Sequence, residues 1–472
     1  MKKVRLLFVV LLATLCGYAQ SSKIKVACIG ASITYGATIQ NRELFSYPAQ
    51  LQQLLGSNYE VSNFGVSGCT LLKKGNLPYW NTNQYKEALA LQPDIVIIDL
   101  GGNDSKLINR NYLSDYESDY HEMIASFTQL PAKPRIVLLL AMTSFVTDTT
   151  GIWDPVISKQ INPRIQSVAF KDGVEVIDMH SSFMDKATLV PDNIHPNAQG
   201  AGIMAKRVYN VLIQKKDSSF NIFTALPKPE RITSFYGYAC ANFKFENRDA
   251  KVVKPKVIAN GKPWVWRALF WGHEPQADIA LLEQGFHIVY CDVAELFGNN
   301  EAIGLWNKFY DLLTKAGLSK KAALEVMSRC AVYAFNWAAA NPANVSAVYV
   351  DNPVLDLKSW PGDIGRTIRS KAEYEQFKKD YQLTDEQVKT FTGSPTDKTV
   401  EIVKGKYPIL ILCADADEAV FPGENTLPFE QKIKALKGDI TVIHKPGFKH
   451  HPHSLPNPEP IVNFILNATY KR

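Results

Sequence analysis

Seven cysteines in 472 residues, widely spaced and with no Cys-x-x-Cys pair, leave neither a redox motif nor a zinc-ligand spacing. Several of them fall inside apolar, strand-like runs, which predicts buried free thiols. Long hydrophobic runs are also missing. The stretch from Leu6 to Leu15 has about ten apolar residues, where a membrane-spanning helix needs about 20. Charge of one sign is scarce too: the formal net charge is +6, with no Lys/Arg run carrying interleaved aromatics, so nucleic acid is excluded as a partner. What is present is ordinary globular material, 46% hydrophobic and 21% charged, in a chain long enough for two cores of about 200 residues each.

Residues 1–20 read as an export signal: Lys2, Lys3 and Arg5, the apolar run, then Gly17-Tyr18-Ala19 before a polar start. Cys16 is preceded by Leu15, where a lipoprotein signal needs a small residue. The expected location is therefore periplasmic or secreted, with no stable membrane insertion after signal cleavage.

Beyond the signal, strand-like runs alternate with helix-length amphipathic stretches. The runs are Ile24 to Ile29, Glu60 to Asn63, Asp94 to Leu100, Arg135 to Leu140 and Val174 to Ile177. This rhythm predicts βαβ units and a parallel sheet covered on both faces. A second series restarts it: Trp264 to Phe270, His287 to Asp292, Val345 to Val350, Ile409 to Cys413 and Ile440 to His444. Between the two series, Lys-Lys-Asp-Ser-Ser and Leu-Pro-Lys-Pro-Glu read as a linker. The expected organisation is an α/β chain with a signal (1–20), a first domain (21–218), a linker (219–234) and a second domain (235–472).

Open parallel sheets present functional groups on loops at the carboxyl ends of their strands. Four such loops of the first half carry chemistry. Gly30-Ala31-Ser32 follows the first strand and offers Ser32 as nucleophile. Val66-Ser67-Gly68 and Gly101-Gly102-Asn103 follow the next two, so Gly68 and Asn103 can donate to an oxyanion. The last, Pro191-Asp192-Asn193-Ile194-His195, sets an acid three residues before a base, a spacing that lets Asp192 orient His195. In order and content these loops resemble the SGNH or GDSL hydrolase superfamily, over most of residues 23 to 215. The resemblance implies a flavodoxin-like sheet sandwich, Ser32, Asp192 and His195 as the catalytic set, and Ser32 N–H, Gly68 and Asn103 as the oxyanion hole. Ala31 stands where the name-giving motif has Asp.

The second half has another grammar. Ala-Leu-Glu-Val-Met leads into Ser328, followed in chain order by Asp417 after the strand Ile409 to Cys413 and by His450 in Phe-Lys-His-His-Pro-His. A serine on a strand-to-helix turn, then an acid, then a histidine resembles the α/β-hydrolase superfamily over roughly residues 235 to 470. It implies Ser328, Asp417 and His450 as a second catalytic set. Oxyanion donors would come from the Arg329 backbone and the Trp271-Gly272-His273 loop. Val326 and Cys330 occupy the two positions that are glycine in the family's elbow, and Ala414 a position where its acid loop often has Gly.

The remaining candidates take plainer readings. His451 and His453 follow His450, but Pro452 intervenes and no cysteine or carboxylate cluster stands nearby in sequence, so no metal is expected. No cofactor is expected either. His121 and His180 read as surface or packing residues, and Trp264 and Trp266, at alternating spacing, as one sheet face. Together the motifs imply an exported serine esterase acting on an acylated carbohydrate. The alternatives are a second domain that only binds carbohydrate or assembles, and a lipase or thioesterase.

Overall fold

The computed structural model describes residues 23–214, 219–362 and 370–470. The expected export signal and Cys16 lie outside the described residues.

Within them the first half forms a five-stranded sheet of β1 (Ile24–Gly30), β2 (Tyr59–Gly65), β3 (Ile95–Asp99), β4 (Arg135–Leu139) and β5 (Glu175–Ile177). All pairs are parallel, in the flavodoxin-like order β2-β1-β3-β4-β5. β3 reads Ile-Val-Ile-Ile-Asp and is buried throughout, as a strand covered on both faces must be. Side chains alternate between two cores. Ala27, Ile29, Val96 and Ile98 face the helices Tyr116–Thr128 and Asn162–Lys171, while Val26, Cys28, Ile95 and Ile97 face Tyr47–Leu55 and Ala198–Leu212.

The second half builds a nine-stranded sheet, ordered β14-β13-β12-β11-β9-β10-β8-β7-β6. Its strands are β6 (Arg231–Phe235), β7 (Tyr238–Phe245), β8 (Arg248–Val253), β9 (Trp264–Arg267), β10 (His287–Cys291), β11 (Ala322–Met327), β12 (Val345–Asp351), β13 (Ile409–Ala414) and β14 (Ile440–Lys445). Strands β9 to β14 are parallel, and β6 to β8 add antiparallel at one edge.

The antiparallel edge was not among the strands expected from sequence. Its hairpins turn at Tyr236-Gly237 (φ 48° and 94°) and Glu246-Asn247 (φ 49° and 62°), two-residue connections with both residues left-handed. Nor is 219–234 a free linker. Pro227 and Pro229 do interrupt regular structure, but Ile222 and Leu226 are buried in the second core, and β6 pairs with β7. Trp264 and Trp266 are core residues, with Trp266 stacked on Trp306 at 4.4 Å between ring centroids. The six described cysteines are free and buried. Burial pushes the thiols of Cys28, Cys291 and Cys330 up to about 12, which leaves them unreactive. No described helix is long and apolar enough to cross a membrane.

The two sheets share one core, in which Val176 of β5 meets Phe235 and Tyr238 of the second half. The Tyr238 hydroxyl donates to the Val176 carbonyl at 3.0 Å, and Lys256 Nζ to the Ala169 carbonyl at 3.0 Å. At the centre Arg207 donates to both carboxylate oxygens of Glu283, each at 3.0 Å. The same carboxylate accepts the N–H of Asp178 at 2.7 Å. Burial pushes the Glu283 carboxyl up and Arg207 pulls it part of the way back. Glu283→Ala leaves a guanidinium without its partner in the interface and is expected to cost about 3–5 kcal/mol in urea unfolding. Lys389→Ala, which breaks only the exposed pair with Glu386, should stay within about 0.5 kcal/mol of the parent. Equal midpoints for the two variants would show that this pair does not hold the halves together.

Candidate active sites

The first centre begins where β1 stops. Gly30 ends the strand so tightly against its neighbours that a Cβ there would sit 2.0 Å from Thr34 Oγ1 and 2.8 Å from the Asp99 carbonyl. Glycine is therefore required, and the chain turns at once into the short helix Ser32–Tyr35. Ser32 is 9% exposed, and its Oγ lies 2.8 Å from His195 Nε2.

His195 arrives on the loop after Val190. Asp192 Oδ1 accepts the N–H groups of Ile194 at 3.0 Å and His195 at 2.7 Å, while Oδ2 lies 2.6 Å from His195 Nδ1. Partial burial would raise the pKa of this carboxyl, but the three hydrogen bonds outweigh it and hold it below the usual carboxylate range. An ionised carboxylate at this distance favours the Nδ1–H tautomer, with the Nε2 lone pair facing Ser32 Oγ.

Asn103 follows β3 and is buried. Its side-chain amide donates to the Cys69 carbonyl at 3.1 Å, using one of two N–H groups and tying the loops after β2 and β3 together. Gly68, next in sequence to that carbonyl's residue, has φ 85°. Ser32, Asn103, Met142 and Ile194 line one cleft of about 30 Å³.

Two carboxylates here carried no role in the sequence reading. Asp104 accepts from the N–H groups of Leu71 and Leu72 at 3.1 and 2.8 Å, which pins the Gly68–Leu72 loop. Asp99 accepts from Thr34 Oγ1 at 3.0 Å. Burial pushes both carboxyls up to about 6. Their only sequence signals were the place of Asp99 within the run Asp94 to Leu100 and of Asp104 in the loop after it.

The second centre sits at the ends of β11, β13 and β14. Ser328 follows β11 with φ 53°, a strained turn that opens into the helix Cys330–Ala340. Its N–H donates to the Asp351 carbonyl at 2.8 Å, and its own carbonyl accepts from Val354 N–H at 3.1 Å. Val326 and Cys330, at the family's glycine positions, are both buried. Ser328 Oγ is 2.9 Å from His450 Nε2, and His450 Nδ1 is 2.6 Å from Asp417 Oδ2. Asp417 Oδ1 accepts from Ala419 and Val420 N–H at 2.8 and 2.9 Å.

Asn352, which the sequence reading missed, joins three of these segments. Its amide donates to the His450 carbonyl at 2.8 Å, and its oxygen accepts from Ala414 N–H at 2.8 Å. Arg329 places its backbone beside Ser328, while its guanidinium pairs with Glu373 and lies over Phe297. The Trp271–His273 loop is held by Arg267, which donates to the His273 carbonyl. Arg267 also pairs with Asp278 at 2.5 Å and Glu325 at 3.1 Å, and all three side chains are buried.

The two histidines read from sequence as surface or packing residues each meet a carboxylate. His121 pairs with Asp172, and His180 with Asp154.

Comparison with known proteins bears on the first centre. Residues 28–203 match the GDSL-like Lipase/Acylhydrolase family. An acetylxylan esterase of Xylanibacter ruminicola is 42% identical over 201 residues, a match covering 39% of this chain and 42% of that protein. The chain therefore spans less than half the length of this relative. Among solved structures, a carbohydrate acetylesterase from Sinorhizobium meliloti is 18% identical with a TM-score of 0.35, covering 40% of this chain and 98% of that one. An acylaminoacyl peptidase from Pyrococcus horikoshii is 16% identical with a TM-score of 0.38, covering 52% and 43%. The segment that carries Ser32, Asn103 and His195 is a domain of the GDSL-like lipase/acylhydrolase family.

Proposed function

We propose that this chain is an exported serine esterase that removes acetyl or related small acyl groups from carbohydrate. The observation that carries the reading is the hydrogen-bonded series Ser32, His195 and Asp192 within the family-matching segment. In this reading His195 Nε2 takes the Ser32 proton as Oγ attacks the acyl carbon, and Asp192 stabilises the imidazolium that forms. The free N–H of the Asn103 amide, with the backbone N–H groups of Ser32 and Gly68, stabilises the oxyanion. His195 then returns its proton to the departing sugar oxygen, and water releases the acid by the same route. The cleft of about 30 Å³ beside Ser32 suits a small acyl group better than a lipid chain. The acetylxylan esterase relative supports carbohydrate as the alcohol side, and the composition of residues 1–20 supports export.

The second centre is proposed as a separate ester-cleaving site, with Ser328 as nucleophile, His450 as base, Asp417 as its orienting acid and the Arg329 backbone as oxyanion donor. What favours turnover over a purely binding role is the complete set of contacts at Ser328, His450 and Asp417. The buried Val326 and Cys330 have not prevented the strained serine turn.

The test is hydrolysis of para-nitrophenyl acetate and of an acetylated xylo-oligosaccharide. Ser32→Ala is expected to lower acetate release from the oligosaccharide by about 10³-fold or more, with Ser328→Ala leaving it intact. Undiminished release by Ser32→Ala would overturn the reading. A second expectation concerns Asn103→Ala, which should lower kcat by about 10²-fold with little change in KM, because the amide acts on charge that develops after binding. A change confined to KM would remove Asn103 from the oxyanion hole. For the second centre, Ser328→Ala should abolish hydrolysis of some ester that Ser32→Ala still cleaves. A panel of methyl, uronoyl and feruloyl esters on which the two variants never diverge would leave the second half without a reaction.

A further inference from the structure

His450, His451 and His453 each offer a ring nitrogen, and these nitrogens lie within 4.8 Å of one another. Along the chain no carboxylate stands near them, which is why no metal was expected. In space there are two. Asp417 Oδ2 lies 2.6 Å from His450 Nδ1, and Asp351 Oδ1 lies 3.3 Å from His453 Nδ1. An imidazole whose Nδ1–H faces a carboxylate presents Nε2 as a basic, oriented lone pair, the arrangement found behind metal-bound histidines. The pairing that equips His450 as a base therefore also equips it as a ligand.

His451 is exposed, and its rings neighbours are histidines: the centroid distances are 5.0 Å to His450, 4.7 Å to His453 and 6.3 Å to His273. A tetrahedral zinc site with Zn–N bonds of about 2.0–2.1 Å sets its nitrogens about 3.4 Å apart. His451, on the exposed side of the cluster, has the most room to close the gap.

We propose that His450, His451 and His453 form a site for a divalent transition-metal ion, zinc being the best fit, and that the ion blocks the second centre. All-imidazole sites favour zinc, copper and nickel over magnesium or calcium. The ion takes the Nε2 lone pair of His450, so the contact with Ser328 Oγ is lost while Ser328 keeps its proton. No covalent step is involved, and chelation restores the contact. Among the described residues no comparable group surrounds His195, so the first centre is spared. The other candidate cluster, Cys413, Asp415 and His444, is poorer. Burial pushes the Cys413 thiol up to about 11, and Asp415 is already 2.6 Å from His444 Nδ1.

The site does not depend on the reading of Ser328 as a nucleophile; only the blocking does. The experiment titrates zinc into the full chain by calorimetry and cobalt by visible absorption, for the parent, His451→Ala and His444→Ala. One zinc per chain is expected, with affinity at least tenfold lower in His451→Ala and unchanged in His444→Ala. Zinc should also abolish any hydrolysis that depends on Ser328, reversibly on adding EDTA, and leave Ser32-dependent hydrolysis intact. No zinc binding by the parent, or binding that survives His451→Ala and falls with His444→Ala, would overturn the proposal. Zinc bound as expected in a protein with no Ser328-dependent hydrolysis would support the metal site and sink only the second esterase.

Discussion

Each centre rests on one hydrogen bond between a serine and a histidine far apart in sequence. The separations are 163 residues for Ser32 and His195 and 122 for Ser328 and His450. Neither pair can find the other by local structure, and ordering so much intervening chain is entropically costly. A parallel sheet solves this by aligning its strands so that loops many residues apart emerge along one edge. The buried strands β1, β3, β11 and β13 are thus the scaffold on which the hydroxyl–imidazole distance depends.

The two centres fix the histidine differently. In the first, Asp192 and His195 share one loop, and Asp192 braces that loop by accepting two of its backbone N–H groups. Carboxylate and imidazole then move together. In the second, Asp417 and His450 follow different strands, and the alignment relies on Asn352 bridging the ends of β12 and β13 to the His450 carbonyl. Asp351, Lys445 and His453 form a further buried group beneath that segment. The second geometry therefore depends on more of the surrounding fold than the first.

What was legible in the sequence follows from the same physics. The strands ending before Ser32 and Asn103 read clearly because a sheet covered on both faces demands continuous apolar runs. The edge strands β6 to β8 did not, since an antiparallel edge has no such run; only Gly237 and Asn247 hinted at their turns. The supposed linker misled because prolines report the local backbone and say nothing of where Ile222 and Leu226 pack. The shared core, with Arg207 on Glu283, has no sequence signature at all. The same holds for Asp417 and Asp351 closing on His450 and His453, which come from strands far along the chain from one another.

Arg267, Asp278 and Glu325 lie buried below the second centre. One guanidinium balances one carboxylate, and burial pushes the Glu325 carboxyl up, with the neighbouring Asp278 adding to it. The cluster is electrically neutral only when one carboxylate keeps a proton. An unfolded chain at neutral pH has both ionised, so folding draws a proton from solvent. The native state therefore binds more protons than the unfolded chain between the ordinary carboxylate range and the raised value of Glu325, and across that window the cluster favours folding less as pH rises. The loop through His273, tethered to Arg267, thus rests on a proton taken up from the medium when the chain folds.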